Sequence, residues 1–381
     1  MKKPEKSADP RPDPVFVMGN VAAAEGAIHA GCRFYAGYPI TPSSEIMEHM
    51  AVRLPAAGGV FVQMEDEIAS ISAAIGASWA GLRSMTATSG PGLSLMMEGI
   101  GYAAWTETPI VIIDVQRAGP CTGQATHVGG GDVMQVRYGS HGDYHPIALA
   151  PWSVQEMHDL TVRAFDLAER FRVPAFLLAD EGVGHLRETA RLDPGPAVAG
   201  RDSRKGLPPF GTDDPAGVPP MPCFGEGERL LVTGSTHDEW GWRKVDSPAV
   251  HARQVDRINR KVEDRRDEIV EVDARLLDDA EIAVVAYGFT ARAALAAVRA
   301  ARAGGTRAGL LRLKTLWPFP DREVKDLAAR VKRIVVPEMN RGQVADLVRL
   351  HGRCDVIHHG QTDGRVIDAE TIERLIREAR P

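Results

Sequence analysis

The sequence predicts an α/β protein built in two parts, and three observations predict it. Between Val60 and Tyr102 the chain reads as strand, acidic turn, small-residue helix, strand, glycine turn and second helix. Beyond Ile282 the alternation returns, with Ile282 to Tyr287, Ala308 to Leu313 and Ile334 to Val336 as short apolar runs separated by helical stretches. Between the two, proline and glycine accumulate from Asp193 to Glu228 (PGP, LPPFG, GVPPMP, FGEGE) and break regular structure. A chain of 381 residues, 44% of them hydrophobic, has enough apolar material for two such cores.

Taken in order, residues 1–14 are polar and proline-broken. Val15 to Met18 starts an apolar run, Asn20 can cap the helix that follows and Gly31 can end it. In Phe34 to Glu45, Thr41 followed by Pro42 has the form of an N-cap with proline at the first helical position; the same hydroxyl and the amides behind it can also face an anion. Val60 to Met64 is a strand ending in Glu65-Asp66-Glu67, and Ile68, Ile71, Ile75 and Trp79 fall on one helical face behind it. Glu67 at a helix start is stabilised by the dipole whatever else it does. Ser84 to Thr88 is the next strand, and Ser89-Gly90-Pro91-Gly92 turns into a helix striped by Leu93, Met96, Met97 and Ile100.

Pro109 to Val115 is a buried-strand pattern that delivers Gln116 and Arg117. Both this strand and the one before Ser89 aim their carboxyl ends at the crevice where open α/β sheets bind ligands. Arg117 there has two readings, a surface ion pair or a bidentate carboxylate ligand. The run Gly129 to Gly131 lacks the lysine and Ser/Thr of a phosphate loop. Val154 to Phe171 reads as helix and Pro174 to Ala179 as strand; Leu230 to Thr233 is a candidate strand and Val255 to Val270 a charged helix with an apolar stripe. In the last part Thr290 can cap a helix running to Ala303, and the turn there lacks GxGxxG. The expected division is a tail over 1–14, a first domain over 15–192, a linker and helix over 193–275, and a second domain over 276–381.

A net charge of −6 with mixed signs argues against nucleic acid as a partner. No apolar run approaches a membrane span, and a cytoplasmic location is expected. Cys32, Cys121, Cys223 and Cys354 are too scattered for a zinc or iron–sulfur motif, so no metal is expected on this chain and any redox centre belongs to another.

The segments MEDEIASISAAIGASWAG and TSGPG resemble the pyrimidine-binding domain of thiamine diphosphate enzymes. Together with YPITPSSE they look like the α subunit of 2-oxoacid:ferredoxin oxidoreductases. QRAGPCTGQ is similar to that family's QR(A/G)GPSTG segment, with Cys121 where serine is usual; GDVMQ, YGSHG and TGSTHDEWG resemble further motifs of it. The resemblance implies a fold in which a thiamine diphosphate-binding pyrimidine (PYR) domain is followed by a transketolase C-terminal-like α/β domain.

It also implies the chemistry. Glu67, set immediately before the small-residue helix, would hydrogen-bond the aminopyrimidine of thiamine diphosphate, with Tyr38, Pro39, Ile40, Ser89, Gly90 and Pro91 lining that side. Thr41 and Arg117 would bind the 1-carboxylate of a 2-oxoacid, and Arg137, His141 and His127 are candidates for its far end. The GDG sequence that holds Mg2+ and the diphosphate in this family is not found here. A β subunit would therefore supply that half-site and a 4Fe–4S cluster, with γ and ferredoxin-like δ subunits, external ferredoxin and coenzyme A as co-substrate. The implied reaction is CoA-dependent oxidative decarboxylation of 2-oxoglutarate to succinyl-CoA, with branched-chain 2-oxoacids or pyruvate as alternative substrates. A non-catalytic scaffold of the same fold is the alternative of another class.

Overall fold

The computed structural model of the chain describes residues 12–195 and 197–380. Most of the expected polar tail, residues 1–11, lies outside the described residues.

An eight-stranded sheet forms the first part. Its path runs Thr315–Trp317, Ile147–Leu149, Pro174–Asp180, Ile110–Ala118, Arg83–Thr88, Cys32–Gly37 and Val60–Gln63, parallel throughout except at the first pair. Strand Gln124–Val128 folds back antiparallel on the end of Ile110–Ala118. Because side chains alternate along a strand, Ile110 and Ile112 pack with the helices Glu67–Trp79 and Gly90–Trp105. Val111, Ile113 and Val115 pack on the opposite face with Gly19–His29, Ser44–Ala56 and Val154–Phe171. Both faces are covered, as a parallel sheet requires.

The second sheet has the order Val272–Arg275, Ala308–Leu313, Ile282–Ala286, Arg333–Glu338, Asp355–Gly360, antiparallel only at its first pair. The two parts are not cleanly separated. Thr315–Trp317, from the second part of the sequence, completes the first sheet, and one apolar cluster runs from Val133 and Val136 into Val285, Leu313 and Trp317. Asp180 accepts from the amides of Val183 (3.0 Å) and Phe289 (2.8 Å), tying the two parts together at a strand end.

The described residues of 193–247 carry no helix or strand, yet they pack into the core through Phe210, Met221 and Cys223. A proline-rich backbone has few N–H groups to ladder with but keeps its carbonyls. Arg172 collects them, donating to Pro209 O (2.7 Å), Pro219 O (3.1 Å) and Pro220 O (2.9 Å). Beneath lies a buried ion cluster. Glu107 binds Arg257 (2.9 Å to Nη1) and Lys261 (2.8 Å), both from helix Pro248–Glu263. Burial opposes the charged form of Glu107, but Arg257, Lys261 and Arg172 together hold its carboxyl well below the ordinary range. Burial in turn lowers Lys261 to about 8, with Glu107 opposing.

Several local expectations are corrected. Asn20 is no cap: the first helix begins at Gly19 after Met18, and Asn20 is inside it. Thr41 is no cap either, because its helix starts at Ser44 after Ser43. Thr290 lies within Gly288–Ala303, whose N-cap is Tyr287. Leu230 to Thr233 forms no strand, and the charged helix runs Pro248–Glu263 with a separate turn at Arg266–Ile269. Ile71, Ile75 and Trp79 are buried, but Ile68 is 52% exposed in the first turn.

Candidate active site

Two loops at the carboxyl ends of adjacent strands build the site. The first follows Cys32–Gly37, and its amide partner is Met64, which donates to Gly37 O at 2.9 Å. It contains Tyr38, Pro39, Ile40 and Thr41. Ser43 closes it, donating through N and Oγ to Ile40 O at 2.9 Å each. From the adjoining helix Gly19–His29, Asn20 donates to Pro42 O (2.8 Å) and to Glu45 Oε2 (2.8 Å). Arg117 Nη1 donates to Thr41 O at 2.8 Å. Thr41 and Arg117 are thus in direct contact through the threonine carbonyl, not its hydroxyl.

The second loop is Ser89-Gly90-Pro91-Gly92, the first turn of Gly90–Trp105. Ser89 Oγ is buried there with no hydrogen-bond partner among the described residues. Glu67 enters from the start of the neighbouring helix, where Asp66 takes the cap by accepting from Ala69 N at 2.7 Å. That leaves Glu67 free to point inward, and it is buried to 4% exposure. A Cβ on Gly92 would stand 2.4 Å from Glu67 Oε1 and 2.2 Å from Thr88 Oγ1, so only glycine leaves space for the carboxylate. Burial raises the proton affinity of Glu67 above the ordinary range, partly offset by its own amide, and Asp66 adds to the rise.

Arg117 is nearly buried at the end of its strand, and its Nε has no acceptor among the described residues. Among the described residues it forms no ion pair with a carboxylate. A buried guanidinium holding only a backbone carbonyl has donors left for an anion. Behind it, Gln116 joins Ala179 O (3.1 Å) and the amide of Asp132 (3.1 Å).

The remaining expected residues are not gathered with these. Arg137 Nη1 is bound to Tyr144 O at 2.5 Å and its guanidinium lies 4.8 Å from the Tyr138 ring. His141 is exposed, 3.6 Å from Glu98, and packs where a Cβ on Gly101 would be 2.9 Å from its ring. Gly101 is eleven residues from Gly90, about 16 Å along the helix. His141 lines a separate cavity of about 620 Å³ with Tyr102, Trp105, Tyr144 and His251. His127 reaches the second part, its Nδ1 being 3.2 Å from Gly364 O.

Sequence reasoning missed Asn20 as the clamp of the first loop, Gly92 as the space for Glu67, and the acidic residues Asp114 and Asp132 behind the second loop. A single acid in the apolar run Ile110 to Val115 was the available signal for Asp114.

Residues 25–257 match the family described as pyruvate flavodoxin/ferredoxin oxidoreductase, thiamine diphosphate-binding, and residues 280–372 match pyruvate:ferredoxin oxidoreductase core domain II. The chain is 53% identical over 333 residues to the 2-oxoglutarate synthase subunit KorA of Methanothermobacter thermautotrophicus, covering 86% of this chain and 88% of that one. It is 38% identical over 368 residues to the ketoisovalerate oxidoreductase subunit VorB of the same organism, covering 95% and 97%. Among solved structures, a 2-oxoglutarate:ferredoxin oxidoreductase from Magnetococcus marinus with 2-oxoglutarate, coenzyme A and succinyl-CoA bound superposes with a TM-score of 0.90 at 32% identity, over 99% of this chain and 67% of that one.

Proposed function

Since the chain belongs to the 2-oxoacid:ferredoxin oxidoreductase family, we propose that it is the α-type subunit of a complex converting 2-oxoglutarate and coenzyme A to succinyl-CoA and CO2 with reduction of ferredoxin. The observation that carries this reading is the buried Glu67 carboxylate, opposite Gly92, together with an Arg117 that forms no carboxylate ion pair among the described residues. The choice of 2-oxoglutarate over a branched-chain acid rests on the greater identity to 2-oxoglutarate synthase subunits.

The residues present fit thiamine diphosphate. A buried carboxylate bounded by small residues suits a ring nitrogen, and loops 38–41 and 89–91 offer backbone groups around it. When bound, that cofactor supplies the electron sink for decarboxylation. Glu67 holds the proton at N1′ of the pyrimidine, and its raised proton affinity suits a group that must share that proton. Arg117, fixed by the Thr41 carbonyl, orients the 1-carboxylate through its remaining donors. Mg2+, the diphosphate half-site and a 4Fe–4S cluster are assigned to a β subunit, and γ and ferredoxin-like δ subunits complete the complex. His141 is left out of the substrate contacts because it stands on the cavity side of helix Gly90–Trp105, and Arg137 because its guanidinium is engaged by the Tyr144 carbonyl.

The test is anaerobic purification of the chain with its partner subunits, followed by viologen reduction with CoA and either 2-oxoglutarate or 2-oxoisovalerate. Turnover with 2-oxoglutarate preferred supports the proposal; preference for 2-oxoisovalerate reassigns the substrate, and no turnover with any 2-oxoacid despite bound cofactors rejects the reaction. In the active complex, Arg117→Ala is expected to raise the KM for the 2-oxoacid by about 10- to 100-fold, the value of one charge-assisted pair. Thiamine diphosphate content should not change. Unaltered KM across a substrate titration removes Arg117 from the site.

A further inference from the structure

Asp114 is a charged residue in the centre of an apolar strand. It is fully buried, and neither of its carboxylate oxygens receives a hydrogen bond from any N–H or O–H among the described residues. In phase with Ile110 and Ile112, it points to the face covered by the Gly90–Trp105 helix. There it meets Asp132. Asp132 precedes the helix Val133–Tyr138 but its side chain caps nothing, and its Oδ2 is likewise buried without a donor. A Cβ on Gly90 would lie 3.1 and 3.2 Å from the two Asp132 oxygens, so this pair sits directly behind the second site loop. Each carboxyl group perturbs the proton affinity of the other. Two carboxylates in contact in a dry place cannot both be ionised.

We propose that Asp114 and Asp132 share one proton, and that this buried acid–carboxylate pair is a positioning device that locks the 128–132 loop against the strand end carrying Arg117. The proposal rests on the reading of Arg117 as the ligand of the substrate carboxylate. The loop has few other ties to that strand. Val128 pairs with Arg117, Gly129 stands against the Arg117 carbonyl, and Asp132 N is bound by Gln116. On its far side the loop belongs to the second part of the molecule. Asn340 donates to Gly130 O (2.7 Å), Gln343 donates to Gly131 O (2.6 Å), and Gly130 N donates to Met339 O (3.0 Å). The shared proton is therefore the link that keeps the second part's grip in register with the first part's site.

Burial pushes Asp132 up to about 6, with Asp114 and Arg117 opposing, and pushes Asp114 well above the ordinary range, with the Asp132 charge adding to it. The other groups facing the pair are few. Arg117 comes from the same strand and Tyr287 from the start of Gly288–Ala303. The adjacent strands place uncharged Thr88 and Leu178 beside Asp114, and the Gly90 turn brings backbone. Raised carboxyl pKa values mean the proton is held at low and neutral pH and lost to solvent as pH rises through them. Two buried anions then repel, the loop leaves the strand, and the dianion competes with substrate for Arg117.

The test uses the assembled complex from about pH 6 to about pH 10, a range that covers raised carboxyl values. Wild-type KM for 2-oxoglutarate should climb about tenfold towards the alkaline end. Asp132→Ala should raise KM by a similar factor already near neutrality, and Asp132→Asn should restore it, because an amide donor to the Asp114 carboxylate reproduces the bond and the net charge. With a donor that does not titrate, the alkaline climb should disappear in Asp132→Asn. Infrared difference spectra between the wild type and Asp114→Asn should show a protonated carboxyl carbonyl band in the wild type alone, a readout independent of turnover and of how well the alanine variant folds. Absence of that band, or the same alkaline rise in Asp132→Asn as in the wild type, overturns the proposal. The band present in a complex that turns over no 2-oxoacid instead rejects the reaction and keeps the shared proton.

Discussion

Replacing Glu67 by glutamine is expected to abolish turnover by the assembled complex, by a factor of at least about 10²–10⁴, while leaving the fold intact or slightly more stable. The two halves of that outcome have one cause. Burial raises the pKa of Glu67, so its charged form is unfavourable in the folded chain, and the stability linked to its proton is lost as pH rises through the raised value. A neutral amide of the same shape removes that unfavourable charge. It also removes the carboxyl proposed to exchange a proton with a bound pyrimidine. Glutamine fits, since the space opposite it is set by Gly92 and not by the charge. The measurement is viologen reduction alongside thermal unfolding of the same preparation. Near-normal turnover removes Glu67 from the chemistry, and a large fall in melting temperature assigns it to structure.

The second large effect is on folding. Glu107 has no exposure, and neither has Lys261, which with Arg257 and Arg172 surrounds it. Glu107→Ala leaves the buried Arg257 and Lys261 without their counter-charge and is expected to destabilise the chain by about 3–5 kcal/mol. Adding Lys261→Met to that variant should recover part of the loss, because it removes one stranded charge and keeps the volume. Urea unfolding of the single and double variants reads both values. A loss below about 1 kcal/mol for Glu107→Ala, at the level of an exposed pair, sinks the assignment of this cluster as the clasp between the helix Pro248–Glu263 and the first sheet.

That clasp shows where local reading stops. The charged helix was legible, since its periodicity is local, but what its charges face was not. The structure buries Arg257 and Lys261, because Glu107 waits some 150 residues earlier in the chain. The same competition explains Thr41. An N-cap is worth about 1 kcal/mol, whereas the loop is held by Asn20 on the Pro42 carbonyl and by Arg117 on the Thr41 carbonyl. Two remote bonds outweigh one local cap, and the helix starts later, at Ser44.

The sequence by itself determined the two-part α/β architecture, the strands that end in the Ser89–Gly92 turn and in Arg117, and the position of Glu67 ahead of a small-residue helix. Those features rest on periodicity and turn chemistry, which act over a few residues. Only the tertiary structure decided that Asp66 and not Glu67 takes the helix cap, that Gly92 makes space for the Glu67 carboxylate, that Asp114 faces Asp132, and that Thr315–Trp317 completes the first sheet. Each of these depends on groups brought together from distant parts of the chain. Burial then fixes which polar atoms lose water and must find a partner, a partner that no local pattern names.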